Sequence, residues 1–121
     1  MKTGIELIAQ ERKEQIEKHG IAIMEDVQNN DYGQLRVAAA WMIPSEDENY
    51  NECNPFLEEQ LMKACPDAWR KDVWQHMINK PPKERLIIAG ALIAAEIDRM
   101  IALETFQYLN KMDMEFDQYG F

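Results

Sequence analysis

The chain has 121 residues, of which 46% are hydrophobic and 29% charged, and its net charge is −9. That length suits one domain able to bury a core without staples. The acidic balance argues against a nucleic-acid backbone or an anionic membrane as partner, because both would repel it. Two cysteines, Cys53 and Cys65, form no CxxC pair and have no histidine at zinc-finger spacing, so free thiols in a reduced, cytoplasmic setting are expected. The opening stretch MKTGIELIAQERKEQIEKHG becomes charged too early for a signal peptide. No run reaches the roughly 18 apolar residues that a membrane helix needs.

The first element is a helix over about 3–19. Thr3 is placed to cap it and Glu6 to complete a capping box. Ile5, Ile8 and Ile16 recur at helical spacing until Gly20. A connecting loop follows, and Asp31 can cap a second helix over about 31–43. Its apolar stripe is Leu35, Ala38, Ala39 and Met42, and Pro44 ends it. The acidic stretch 44–54 has no packing face and reads as a loop. Asn54–Pro55 is a helix-start signature, so one or two short helices are expected in 54–78, with Trp69 and Trp74 pinning them to the core. The longest helix is expected over 83–109, with Gly90 inside it. A glycine there costs about 1 kcal/mol relative to alanine, and close helix packing is the expected compensation. The tail 111–121 is expected to be loosely held. No strand pattern occurs, so the fold class is all-α, a compact bundle of three main helices in one domain. The long helix is apolar nearly all round from Leu86 to Ala95 and must be covered on several sides. A homodimer through it is therefore expected.

Charges on these apolar stripes are the candidates for chemistry. Glu96 lies among Leu92, Ile93, Met100 and Leu103, its helical neighbours. A carboxylate there needs a cation, a metal ion or a proton. Arg12 sits in the middle of the Ile5–Ile8–Ile16 stripe, flanked by Glu11 and Gln15, and Arg99 follows Glu96 by one turn. Two readings stay open. In one, Glu11, Arg12, Gln15, Glu96 and Arg99 form an ion-pair network that fixes helix register, with Arg12 the first choice of partner for Glu96. In the other, Glu11, Asp26, Glu96 and Asp98 supply oxygen ligands to magnesium. Asp98 stands about 160° round the helix from Glu96, which opposes their sharing one ion. Trp69 and Trp74 are core plugs or, alternatively, a stacking platform for a ligand. His19 and His76 have no nucleophile or ligand set around them in the sequence.

The stretches ERKEQI at 11–16, YGQLRVAAAWM at 32–42 and RLIIAGALIAAEIDRM at 85–100 resemble, in this order, a family of small phage- and prophage-type helical proteins without a firmly assigned activity. The resemblance covers about two-thirds of the chain. More remotely, the chain is similar to the all-α NTP pyrophosphatases of the MazG type. These hold magnesium with an E-x-x-E pattern on one helix and an E-x-x-D pattern on a later one, and hydrolyse nucleoside triphosphates to monophosphate and pyrophosphate. That resemblance implies a nucleotide substrate and magnesium. Glu11 and Glu14 match the first pattern; Glu96 matches the start of the second, but Arg99 stands where it has an acid. The arginine favours a non-catalytic binding or interaction protein, with a magnesium-dependent pyrophosphohydrolase-like enzyme as the alternative.

Overall fold

The computed structural model describes residues 1–19, 33–44, 55–66 and 69–118. Asp26, the cap expected at Asp31, Cys53 and nearly all of the acidic stretch 44–54 lie outside them. The described residues form five helices and no strand: α1 (Gly4–His19), α2 (Gln34–Met42), α3 (Pro55–Lys63), α4 (Lys71–Ile78) and α5 (Pro82–Gln118). The all-α class is thus the observed one. No helix among these residues is long and apolar enough to cross a membrane.

Local chemistry sets most helix ends. The Glu6 amide donates to the Thr3 hydroxyl at 3.3 Å, and that hydroxyl donates to the Glu6 carboxylate at 3.1 Å, which satisfies part of the helix start. Helix α2 begins at Gln34, later than the start near 31 expected from a cap at Asp31. Gly33 precedes it with φ of 81°, a left-handed conformation that side chains with a Cβ rarely adopt. Pro55 and Pro82 open α3 and α4's successor α5, at a position where a missing N–H costs nothing.

Helix α5 is the spine. Ile8 of α1 lies against Gly90 and Arg12 reaches Asp98, so α1 runs parallel to it. Arg85 reaches the Trp41 carbonyl while Arg36 reaches Glu96, so α2 runs antiparallel. Both helices make their principal packing against α5, whereas α3 packs chiefly on α4. The core is Leu35, Ala38, Ala39 and Met42 of α2, Leu61, Trp74 and Ile78 of the short helices, and Ile88, Ala89, Leu92 and Ala95 of α5. Alanines on both sides let α2 and α5 approach closely. A Cβ on Gly90 would stand 2.6 Å from Ile8 Cδ1. The expected close packing is therefore present, and its partner is α1.

Two expectations are corrected. Ile5 is not on a covered stripe: it is 82% exposed, because α1 meets α5 through Ile8, Arg12 and Gln15. The helix expected to end near Leu109 continues to Gln118. At 37 residues and about 1.5 Å per residue, α5 outruns the helices beside it, and residues 103–113 are all exposed.

Candidate functional site

The charges on apolar stripes meet in two separate places. On the side of α5 that faces α2, Glu96 is buried at 6% exposure and Arg99 at 9%. They are one helical turn apart, which places their side chains together. Arg99 Nε and Nη2 both donate to Glu96 Oε1, at 2.9 and 2.6 Å. Arg36 of α2 approaches the same oxygen at 3.6 Å and the Met100 sulfur at 3.5 Å. Glu96 Oε2 is buried with no hydrogen-bond partner among the described residues. The carboxylate is thus strongly engaged at one oxygen and open at the other.

On the side that faces α1, buried Arg12 donates from Nε and Nη2 to Asp98 Oδ2, each at 3.4 Å. This corrects the first-choice pairing of Arg12 with Glu96. The physical reason is the helical step: Asp98 and Glu96 look towards different neighbours, and Arg12 is on the helix nearer to Asp98. These long contacts with a carboxylate more than a third exposed are weak in energy, since water screens them. Gln15 is buried beside them and donates to Glu11 at 3.4 Å.

Among the described residues, no three His, Cys, Asp or Glu side chains gather where they could hold a metal ion. Of the magnesium candidates, Glu11 faces Gln15, Asp98 faces Arg12, Glu96 faces Arg99, and Asp26 lies outside the described residues. The tryptophans divide. Trp74 is fully buried and donates its indole N–H to the Leu61 carbonyl at 2.6 Å, so it plugs the core and has no face to offer a ligand. Trp69 is half-buried and stands edge-on to it, with ring centroids 6.1 Å apart and planes at 72°.

Two arginines escaped the sequence reading. Arg85, buried at 4% exposure, donates to the Trp41 carbonyl at 2.7 Å in the last turn of α2, where a cation meets the negative end of the helix. Its signal was available: it shares a stripe with Ile88, Ala89, Leu92 and Glu96. Arg36 has no such signal, because its side chain is largely exposed and only the antiparallel pairing brings it to Glu96.

Beside Glu96 an open groove of about 280 Å³ runs between α2 and α5, lined by Arg36, Ala39, Ala40, Ile43, Ile93 and Ile97 along with Glu96 itself. Its surface is almost wholly apolar. Next to it Leu86, Ile93, Ile97, Met100 and Ile101 all remain exposed. In comparisons with known proteins, no family model, no curated protein and no solved structure matches the chain.

Proposed function

We propose that this is a non-catalytic interaction protein whose binding face is the exposed apolar side of α5 with the adjoining groove on α2. The observation that supports it is the distribution of charge on α5. The buried carboxylate is engaged by Arg99, while the adjoining face of the helix carries large apolar side chains that remain exposed among the described residues. Exposed apolar surface of this extent on a small domain marks an interaction site. The Arg36–Glu96 and Arg12–Asp98 contacts then bridge α2 and α1 to α5. A role of the phage- and prophage-protein kind, in a reduced cytoplasmic setting, accords with the order of the sequence motifs and the free thiols expected there.

One observation favours a second reading, a magnesium-dependent pyrophosphohydrolase-like enzyme acting on a nucleotide. Glu96 Oε2 is a buried acceptor that a hydrated magnesium ion could use, and the groove beside it is open to solvent. The two readings part on one experiment. Canonical and modified nucleoside triphosphates are incubated with the protein and magnesium, and pyrophosphate release is followed. The interaction reading expects no turnover. Turnover that disappears in folded Glu11→Gln or Glu96→Gln variants overturns it in favour of the enzyme.

A further inference from the structure

The exposed apolar residues of α5 are arranged symmetrically along the helix, and that arrangement identifies an occupant for the face. At about 100° per residue, Leu86, Ile93, Ile97, Ile101 and Tyr108 fall within a stripe about 80° wide. All five are exposed, Ile93 at 47%, Ile97 at 51% and Ile101 at 55%. Ile93 and Ile101 lie equally far from Ile97 along the helix, and so do Leu86 and Tyr108. We infer that the face is closed by a second copy of this chain, its α5 antiparallel to the first across a two-fold axis at Ile97. The inference rests on the interaction reading above and names its partner.

In that arrangement Ile97 meets the partner's Ile97, Ile93 meets the partner's Ile101, and Leu86 meets the partner's Tyr108. A two-fold contact requires a surface that complements itself; here Ile93 and Ile97 form the α5 wall of an apolar groove whose other wall is Ala39, Ala40 and Ile43. Charge agrees. Two copies at −9 each repel, so they can meet only through a face with few acids. Between Leu86 and Tyr108 the acid on this stripe is Glu104, which falls opposite the partner's Gly90, where Ile8 of α1 lies, and not opposite another carboxylate. The pairing also accounts for two exposures that the single chain leaves without reason. Ile5 lies one turn before Ile8, hence towards the Leu86 end of α5, where the partner's Tyr108 and the partner's Met112 arrive. The exposed segment 103–113 correspondingly finds a surface to lie on. The stripe is about 35 Å long. A stable interface uses roughly 800 Å² per partner, and Ile43, Ile5 and the overhanging segment are exposed apolar surface that can add to the stripe.

The test uses the full chain. Wild type is expected to sediment as a dimer at micromolar concentration. Ile97→Asp, which places two carboxylates against each other on the axis, is expected to sediment as a monomer with unchanged helical circular dichroism. Ile97→Cys treated with copper-phenanthroline is expected to form a disulfide-linked dimer in most of the protein. Ile5→Cys, more exposed but distant from its counterpart, is expected to give no more than the background of Cys53 and Cys65 in wild type. A monomeric wild type overturns the proposal, and so does a dimer that survives Ile97→Asp and fails to cross-link at Ile97→Cys. Either result, without nucleotide turnover, leaves the interaction reading standing with a different partner; Glu96-dependent turnover removes the reading itself.

Discussion

Removing the Glu96 carboxylate should be among the most damaging single changes the fold can suffer. Glu96→Ala leaves the Arg99 guanidinium with only 11% of its side chain exposed and without the acceptor that now takes both Nε and Nη2. Breaking a buried pair from one side costs about 3–5 kcal/mol, most of it the burial of the surviving charge. A domain of this size is stable by roughly 5–15 kcal/mol in total, so the variant should sit near the edge of folding. At about 4 °C per kcal/mol for a domain of this length, the midpoint should fall by roughly 12–20 °C. Urea unfolding followed by far-ultraviolet circular dichroism measures the loss. The companion variant Glu96→Leu/Arg99→Leu removes both charges, and it should recover most of the stability, because no buried charge remains unpaired. The single open oxygen at Oε2 strengthens that expectation, since the wild-type carboxylate already carries an unmet acceptor. A loss below about 1 kcal/mol in Glu96→Ala would show that Arg99 simply swings into water, and the buried-pair account would fall with it.

Other perturbations test separate contacts. Gly90→Ala gains about 1 kcal/mol of helix propensity but drives a Cβ to 2.6 Å from Ile8 Cδ1. It should stabilise only when Ile8→Ala is also present, with a coupling of about 1 kcal/mol or more in a thermal-unfolding double-mutant cycle. Trp74→Phe should cost about 1–3 kcal/mol, because the Leu61 carbonyl loses its indole donor in a dry site; an unchanged urea midpoint would contradict the core-plug assignment. Asp72 accepts from Arg70 at 2.6 and 3.2 Å, and this hydrogen bond holds its carboxyl below the ordinary 3.8. A carboxyl depressed in the folded state contributes above its ordinary pKa and loses that contribution as pH falls through the lowered value. Carbon-detected NMR titration should place the Asp72 midpoint below 3.8 and return it towards 3.8 in Arg70→Ala. Both groups are exposed, so global stability should not follow this titration.

The helices were legible because their signals are local. Thr3 and Glu6 mark a start, Pro44 and Pro66 bar continuation, and Leu35, Ala38, Ala39 and Met42 fix the buried face of α2 at the spacing of one helical turn. The burial of Glu96 was legible for the same reason. What the sequence could not supply was which helix covers which side of α5. The α1 stripe read from Ile5 to Ile16 presumed a covering element at both ends, but α1 docks by Ile8 and by polar Arg12 and Gln15. The partner of Glu96 depended on the same unknown. Arg99 is fixed by one helical turn, whereas Arg36 arrives only once α2 is antiparallel to α5, and Arg12 reaches Asp98 because α1 lies on the far side. The length of α5 was not legible, because its charged C-terminal part is helical while residues 103–113 are exposed, Leu103, Phe106, Leu109 and Met112 among them.

The interaction face itself is tested most directly by Ile93→Asp/Ile97→Asp, compared with wild type in urea at two protein concentrations. A face that serves association adds nothing to the folding of one chain, but binding to the native state raises apparent stability with concentration. The account predicts that the variant and wild type unfold within about 0.5 kcal/mol of each other at high dilution. It predicts that wild type alone gains stability as concentration rises. A loss of several kcal/mol in the variant at high dilution would place Ile93 and Ile97 in the chain's own core and contradict the account. So would a concentration dependence shared equally by both proteins.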